Sequence, residues 1–193
     1  MIVALTGGIG CGKTTVLNEF RKRGIPCFVA DEVAGRYYLE ADFLEQIRAL
    51  FGASVITAEG QADKRAIASK VFNDRQALPK LNQLIHPRVL DDLRRFAQEH
   101  SDAPYVLFES AILYESGFDR VADKVVCVYL GMEDRIERLQ LRDGATREQL
   151  MERMKNQSSA DDIMMKADYV VLNYEGNPRS RQVGYIHSQM VAE

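Results

Sequence analysis

The sequence predicts an α/β fold with a five-stranded parallel sheet, helices on both faces, a helical insertion and a lid. Three observations lead to this fold class. Five short apolar runs are separated by stretches with helical periodicity, as a buried parallel sheet requires. The first run leads through a glycine-rich loop directly into a helix. The stretch between the second and third runs, from about Glu32 to His100, is mostly helical and too long for a simple crossover.

The first strand and the loop after it carry the clearest chemical signal. An apolar strand is predicted over residues 1–6, and a helix with Val16, Leu17 and Phe20 on one face begins near Thr14. Between them, GGIGCGKT at residues 7–14 fits the phosphate-binding pattern G-x-x-x-x-G-K-[ST] at every fixed position. A chance match in a chain of this length is rarer than about one in a hundred. The sequence therefore predicts a nucleotide phosphate site.

The physics of this loop is that of an anion site. Glycines let successive N–H groups turn inward, and the helix N-terminus adds partial positive charge. We expect Lys13 to reach the β- and γ-phosphates and the Thr14 hydroxyl to bind Mg²⁺. The residues expected to contact the nucleotide, ATP, are Gly8, Ile9, Gly10, Cys11, Gly12, Lys13, Thr14 and Thr15.

The second strand is predicted over Pro26–Ala30, after Gly24 stops the first helix, and it ends at Asp31. Ligands of open α/β sheets bind off the carboxyl ends of the strands, which favours a functional role for Asp31 beside the phosphates. Asp31 is also a good N-cap for a helix beginning near Glu32. Both roles are compatible with its position.

Apolar residues at helical spacing predict four helices in the insertion, marked by residues 43–51, 67–72, 78–85 and 89–96. Gly52 is expected to end the first of them, and His86-Pro87 to separate the last two. These apolar stripes are more typical of a core than of cofactor contacts. Their place between the second and third strands indicates an acceptor-binding subdomain.

The last three strands are predicted at Tyr105–Glu109, Lys124–Leu130 and Tyr169–Leu172, and a final helix follows Pro178. Glu109 ends the third strand. It should lie beside the phosphate-binding loop, where an acidic residue commonly holds Mg²⁺ through water. A capping role is the alternative for this carboxylate.

Residues 132–166, between the fourth and fifth strands, carry five arginines on two helical segments joined near Asp143-Gly144. Arg138 and Arg142 are four residues apart and share a helical face. Interleaved acidic residues make a solvated charged face the plain alternative. Phosphoryl transfer, however, needs cations over the developing charge, and a hinged helical pair would supply them and exclude water. We therefore predict a lid.

These predictions give one domain over residues 1–193. Its parts are a core at about 1–35, 101–131 and 167–193, an insertion at about 36–100 and a lid at about 132–166. The net charge of −3 implies no broad basic surface for nucleic acid. No apolar run reaches the length of a membrane span, and we expect no signal peptide before the first strand. We expect a cytoplasmic protein without a membrane partner, and the oligomeric state stays open.

The three cysteines, Cys11, Cys27 and Cys127, are widely spaced and form no C-x-x-C pair. This pattern fits reduced thiols and argues against a disulfide framework or a zinc site. Cys11 lies at a helix N-terminus, two residues before Lys13, and both features favour a thiolate. We expect Cys11 to react faster than the other two thiols, which fall in predicted buried strands.

The motifs narrow the class of nucleotide enzyme. A switch of the GTPase type needs an N-K-x-D guanine signature, which the sequence lacks. The signature loop of transporter-type ATPases is also absent, and a motor or remodelling ATPase would usually be longer. The residues leave three groups of small kinases open, namely nucleotide kinases, shikimate-type kinases and coenzyme-precursor kinases.

Motifs across nearly the whole chain resemble the dephospho-coenzyme A kinase family. TGGIGCGKT at residues 6–14 is similar to the family's opening T-G-G-I-G-S-G-K-S/T, and Val29-Ala30-Asp31 stands where the family has D-A-D. Residues 109–115 occupy the place of its D-x-P-L-L-F-E segment. The other similar positions are Lys64-Arg65, residues 71–74, residues 84–87, Arg138, Arg142, Gln157, Ala167-Asp168 and Asn173.

The resemblance implies ATP-dependent phosphorylation of the ribose 3′-hydroxyl of dephospho-coenzyme A, giving coenzyme A and ADP. It implies that Asp31 accepts or orients the hydroxyl proton and that Lys13 and the loop amides hold the ATP phosphates. Arg138 would close over the transferring group, with Arg142 nearby. The region of His86-Pro87 would help to form the coenzyme site.

Three positions depart from the family pattern. Val29 replaces the first Asp of D-A-D, so only Asp31 can serve there. Glu109 replaces an Asp, which lengthens the reach toward a metal by one methylene, and Ala111 replaces a Pro. None of these changes removes a residue that the implied mechanism needs.

Overall fold

The computed structural model of this chain describes residues 1–74, 76–155 and 157–192. It contains a five-stranded sheet. The strands are Ile2–Thr6 (β1), Cys27–Val29 (β2), Val106–Glu109 (β3), Lys124–Tyr129 (β4) and Tyr169–Leu172 (β5). Their order is β2-β3-β1-β4-β5, and every neighbouring pair is parallel. All five carboxyl ends therefore lie at one edge. The predicted α/β fold class is confirmed.

Helices connect the strands. They are Lys13–Arg21 (α1), Ala30–Tyr37 (α2), Ala41–Phe51 (α3), Lys64–Asn73 (α4), Ala77–Glu99 (α5), Met132–Asp143 (α6), Arg147–Met154 (α7), Ala160–Lys166 (α8) and Arg179–Ala192 (α9). Short 3-10 turns occur at Ala53–Val55 and Phe118–Val121. None of the helices in the described ranges combines the length and apolarity that a membrane crossing needs.

The chain divides into two compact units, one of Met1–Val29 with Arg95–Glu193 and one of Ala30–Arg94. The first holds the sheet. Because successive residues of a strand point to opposite faces, each strand contributes to two cores. On one face, Val16 and Phe20 of α1 and Val183 and Ile186 of α9 pack with Val3, Leu5 and Leu107. On the other face, Phe28 and Phe108 contact each other, and their rings meet Phe96 and Phe118.

The second unit, Ala30–Arg94, overlaps the residues that the sequence analysis assigns to the insertion. Its core is built around Phe43, which is fully buried and contacts the rings of Tyr37 and Tyr38. The Arg88 guanidinium lies 5.1 Å from the centre of the Phe43 ring, and Tyr37 Oη donates to Asp92 at 2.8 Å. This unit therefore has a hydrophobic centre of its own.

One predicted helix boundary in this region is wrong. The sequence analysis stops a helix at His86-Pro87, but α5 runs from Ala77 to Glu99 with Pro87 inside it. A proline removes one backbone donor and crowds the carbonyl four residues earlier. The buried residues of α5, namely Ala77, Leu81, Val89 and Leu93, lie on both sides of Pro87. Packing of this continuous apolar face outweighs the lost hydrogen bond.

Residues 132–166 contain the two predicted helices joined near Asp143-Gly144, here α6 and α7. Gly144 ends α6 with a φ of 65°, and Thr146 begins α7 with a capping box completed by Gln149. Ile136, Leu139 and Leu150 form a small core between these helices, to which Ile9 of the loop contributes. A third helix, α8, was not predicted because seven residues give too short a periodic signal.

The outer edge of β5 is closed by a side chain. Gln182 of α9 accepts a hydrogen bond from the Leu172 N–H at 2.9 Å and donates to the Leu172 carbonyl at 3.0 Å. Its amide therefore satisfies both backbone groups of an edge residue, as a neighbouring strand would.

The three cysteines differ in burial, and their burial contradicts the expectation that Cys11 reacts fastest. Cys11 and Cys127 are each 1% exposed, and Cys27 is only partly buried. Burial raises the pKa of the Cys11 thiol and outweighs the opposing charge of Lys13. Burial also raises the pKa of Cys27 to about 11 and that of Cys127 to about 12. Desolvation thus prevents the helix N-terminus from activating Cys11.

We expect a small thiol reagent to modify Cys27 before Cys11 or Cys127 in the native protein. Because the pKa of Cys27 is raised, its rate should increase about tenfold per pH unit between pH 7 and 9 instead of levelling off. Mass spectrometry of partly labelled protein measures both quantities. Cys27→Ser should remove the fast phase, and labelling of Cys11 in that variant at the original rate would contradict the order given by burial.

Candidate active site

The loop between β1 and α1 is a tight backbone turn. The Cys11 N–H donates to the Gly8 carbonyl at 3.1 Å, and the Gly12 carbonyl accepts from Thr15 and Val16 as α1 begins. Gly10 and Gly12 have φ angles of 83° and 89°, in the region that side chains other than glycine rarely adopt. The sequence pattern of glycines is therefore required by the backbone path.

Several N–H groups of this loop have no protein partner. Within the part of the chain that the structure describes, nothing accepts from the N–H groups of Gly10, Gly12, Lys13 or Thr14. The last two begin α1, so the partial positive charge of the helix N-terminus adds to them. Such converging donors form an anion-binding concavity. The predicted phosphate site thus has the backbone that it needs.

The side chains at the end of the loop are differently placed. Lys13 Nζ donates to the Gly7 carbonyl at 2.9 Å, so its ammonium lies along the loop itself. Thr14 and Thr15 are exposed. Ile9, expected among the nucleotide contacts, donates its N–H to Gln157 Oε1 at 2.9 Å. Its side chain packs against the small core between α6 and α7 that is formed by Ile136, Leu139 and Leu150.

Glu109 is at the carboxyl end of β3, in register with Leu5 of β1 and Val29 of β2. It is 8% exposed, and its charge acts on the Cys11 thiol. The carboxylate is therefore within electrostatic reach of the loop. Thr6, at the end of β1, has a buried hydroxyl with no hydrogen-bond partner among the described residues.

Asp31 lies in the first turn of α2 and is exposed. Because α2 already begins at Ala30, Asp31 is inside the helix instead of being the N-cap that the sequence leaves as an alternative. Its charge still complements the helix dipole. His86 and Pro87 lie on α5 of the same unit. His86 is half-buried, which lowers the pKa of its imidazole, and Pro87 is exposed.

The two arginines that the sequence analysis assigns to a lid occupy different surroundings. Arg138 Nη2 donates to the Asn173 carbonyl at 3.0 Å, and its guanidinium lies close to Gly12. Arg142 is 63% exposed and forms a bidentate pair with Asp143, at 2.6 and 3.0 Å. The same pair, with Arg153, lowers the pKa of Asp143 to about 2. The structure brings Arg138 to the loop and leaves Arg142 on the surface.

A buried amide fixes the loop from the side of β5. Asn173, 1% exposed, donates from Nδ2 to the Cys11 carbonyl at 2.6 Å and accepts from Arg179 at Oδ1, at 2.8 Å. The carbonyl can only accept and the guanidinium can only donate, so the amide has one orientation. A Cβ on Gly12 would collide with this amide. Glycine is therefore needed at position 12 on steric grounds as well.

Gln157 is a second support. While Oε1 accepts from Ile9, Nε2 donates to the Ala111 carbonyl at 3.2 Å, which links the loop to the segment after β3. The sequence analysis names Gln157 and Asn173 only through a family resemblance, and it misses Arg179. No spacing rule identifies Arg179, because its role depends on contacts between distant segments.

This chain is similar to known proteins over nearly its whole length. The family model described as dephospho-CoA kinase matches residues 1–178. A dephospho-CoA kinase of Aeromonas hydrophila is 38% identical over 182 residues, which cover 93% of this chain and 88% of that protein. A crystal structure from Thermus thermophilus superposes with a TM-score of 0.85 at 28% identity, covering 98% of this chain and 97% of the other.

A dephospho-CoA kinase from Campylobacter jejuni shares the fold, with a TM-score of 0.72 at 22% identity over 99% of this chain and 97% of its own. The family match spans the phosphate-binding loop, the insertion and the arginine-bearing helices in one continuous stretch. The chain belongs to the dephospho-CoA kinase family.

Proposed function

We propose that this chain transfers the γ-phosphoryl group of ATP to the ribose 3′-hydroxyl of dephospho-coenzyme A, the last step of coenzyme A biosynthesis. The observation that carries the proposal is the loop of unpartnered N–H groups at the start of α1, in a chain that matches this kinase family over residues 1–178. The free cysteines and the ATP requirement favour a cytoplasmic location.

The reaction forms one bond and breaks one. The 3′-oxygen attacks the γ-phosphorus, the bond from that phosphorus to the β,γ-bridging oxygen breaks, and ADP leaves. The hydroxyl proton passes to the Asp31 carboxylate, which acts as general base or orients the hydroxyl. An exposed carboxylate in the first turn of α2 is accessible to such an acceptor.

The loop holds the phosphates that do not move. Its N–H groups form their strongest hydrogen bonds with a charged oxygen, because charge-assisted hydrogen bonds are roughly twice as strong as neutral ones. Lys13 would exchange its neutral partner, the Gly7 carbonyl, for the β- and γ-phosphates for the same reason. The adenosine of ATP fits a cavity of about 460 Å³ lined by Arg138, Tyr174, Pro178 and Arg179.

Mg²⁺ accompanies ATP in this proposal. The Thr14 hydroxyl and the Glu109 carboxylate are hard oxygen ligands of the kind that Mg²⁺ prefers. The described residues contain no group of three or more His, Cys, Asp or Glu side chains suited to a metal. The ion would therefore take most of its ligands from phosphate oxygens and water, and it would neutralise charge developing between the β- and γ-phosphates.

Arg138 is the better placed of the two lid arginines. One of its five N–H donors is used on the Asn173 carbonyl, which leaves the others for the transferring group. Arg142 would first have to leave its bidentate partner Asp143. On the acceptor side, the lowered pKa keeps His86 neutral at pH 7, so we assign His86 and Pro87 to uncharged contacts with the coenzyme.

The direct test is a coupled ADP-release assay with dephospho-coenzyme A, adenosine and shikimate offered separately. We expect rapid turnover with dephospho-coenzyme A alone, and a product carrying one phosphate at the ribose 3′ position by NMR. Turnover confined to adenosine or shikimate would overturn the proposed acceptor while leaving the phosphate site intact.

Lys13→Ala should lower kcat by about 10²–10³, the usual cost of losing one electrostatic contact to a developing charge. Lys22→Ala is the matched control, since Lys22 lies just after α1, is 70% exposed and pairs with Glu19 away from the phosphate-binding loop. The control should keep wild-type turnover. A folded Lys13→Ala enzyme with normal kcat would show that the loop does not hold the reacting phosphates.

Asp31→Asn keeps the shape of the side chain and removes the proton acceptor, so kcat should fall by roughly 10²–10⁴ while ATP binding stays normal. Glu32→Gln removes a neighbouring exposed charge from the same helix turn and should have little effect. If the two variants lose activity equally, the helix dipole and not proton transfer accounts for the loss.

Arg138→Ala should reduce kcat more than ATP affinity, because the lid arginine acts mainly on the transition state. Arg142→Ala should have the smaller effect, since Asp143 already holds that side chain. Steady-state kinetics and ATP titration of both variants separate the two effects. The reverse ranking would mean that the lid rearranges and brings Arg142 to the phosphates.

A further inference from the structure

Arg135 is a buried cation beside the phosphate-binding loop. It lies on α6, and only 7% of its surface is exposed. A Cβ on Gly8 would collide with its Nη1, so the guanidinium is in van der Waals contact with the loop backbone. Its charge also acts on the thiol of Cys11. No expectation from the sequence assigns a role to this residue.

Within the described residues, this cation forms no ion pair. No residue in 1–74, 76–155 or 157–192 forms an ion pair or hydrogen bond with the guanidinium, and Nε is buried without an acceptor. Arg135 lines a cavity of about 380 Å³ together with Asp161 and Tyr129. The Asp161 carboxylate accepts from the Tyr129 hydroxyl at 2.8 Å and keeps its charge, but within the described residues it forms no ion pair with the Arg135 guanidinium. The other arginines of α6, Arg138 and Arg142, both have hydrogen-bond acceptors.

An uncompensated buried charge destabilises a fold. Removing an ion from water costs several kcal/mol, and the cost is recovered only when an opposite charge lies nearby. Met132 and Met154 line the cavity beside Arg135, and the Asp161 carboxylate that shares this cavity forms no ion pair with the guanidinium, so the compensation of the charge is incomplete. A bound anion would supply the missing negative charge, and the loop next to Arg135 is suited to bind phosphate.

We propose that Arg135 is a positioning residue that stabilises nucleotide phosphates through the loop, with its charge more fully compensated when ATP is bound. The inference rests on the proposed function, because it takes ATP as the anion held by the loop. Arg135 contacts Gly8 and not the reacting atoms, so its charge should strengthen the binding of ATP and have little effect on the chemical step.

A purely structural arginine would behave differently. Its buried aliphatic stem contributes packing, and if packing were its whole role, shortening or replacing it would lower the stability of the protein with and without nucleotide. An electrostatic role predicts the opposite sign without nucleotide, since an apolar side chain of similar length removes the uncompensated charge.

The experiment compares Arg135→Met, which removes the charge at similar length, with Arg135→Lys, which keeps it. Arg181→Met is the control, because Arg181 is exposed on α9 and loses the same charge away from the loop. Thermal unfolding is measured with and without Mg-ATP, and ATP KM and kcat are measured with dephospho-coenzyme A saturating.

We expect Arg135→Met without ATP to melt at or above the wild-type temperature and to gain less from added Mg-ATP. Its ATP KM should rise roughly tenfold, as loss of one partly screened charge near the phosphates implies, with kcat within about twofold. Arg135→Lys should recover most of the affinity. Arg181→Met should match the wild type in every measurement.

Other outcomes overturn the inference. A lower melting temperature or failure to fold in Arg135→Met, or a lysine variant no better than methionine, would make Arg135 a packing residue. A normal ATP KM in Arg135→Met would remove its link to phosphate. If the wild-type protein itself gains no stability from Mg-ATP, the proposed function fails instead, and the two failures remain distinguishable.

Discussion

The loop between β1 and α1 can bind phosphate only if enough of its backbone N–H groups are left without protein partners. Among the described residues, those of Gly10, Gly12, Lys13 and Thr14 are so left, and the contacts of the site preserve this condition. Side chains contact the loop through its carbonyls and its glycine Cα atoms instead. Asn173 bonds the Cys11 carbonyl, Lys13 the Gly7 carbonyl, and Arg135 lies against Gly8. Of the contacts that the described residues make, the loop N–H that donates to a side chain is that of Ile9, to Gln157.

The charged side chains near the loop are also suited to binding an anion. Lys13, Arg135 and Arg138 surround it, while Glu109 approaches from the end of β3. Cations of this kind are inexpensive at an exposed surface and costly when buried. Arg135 is buried beside the loop, where this cost applies. The role proposed for Arg135 would couple the stability of the unliganded protein to its affinity for nucleotide.

Local signals account for what the sequence could predict. The five strands, the loop and the break at Gly144 each depend on a few adjacent residues, and all of them are present in the structure. Pro87 shows the limit of local reasoning, because a continuous apolar face on α5 outweighs the helix-breaking tendency of one residue. The prediction that Cys11 is a reactive thiolate fails for a related reason. Its neighbours in sequence favour a thiolate, but burial by distant segments of the core decides its pKa.

The same limit applies to the site. Lys13 and Asp31 belong to short motifs that the sequence shows directly. The contacts through which Arg179 and Arg135 support the loop join segments that are far apart in the chain. No periodicity distinguishes these arginines from the others on the same helices.

The amide of Gln182 has a consequence for the protein in a crowded solution. An open edge strand is a template on which another chain can add a strand, and aggregation often begins in this way. At β5 the Leu172 N–H and carbonyl are already occupied by Gln182. The opposite edge, β2, is only three residues long. The sheet thus offers little backbone for an unwanted neighbour at either side, which protects a fold whose parallel strands must form through long-range contacts.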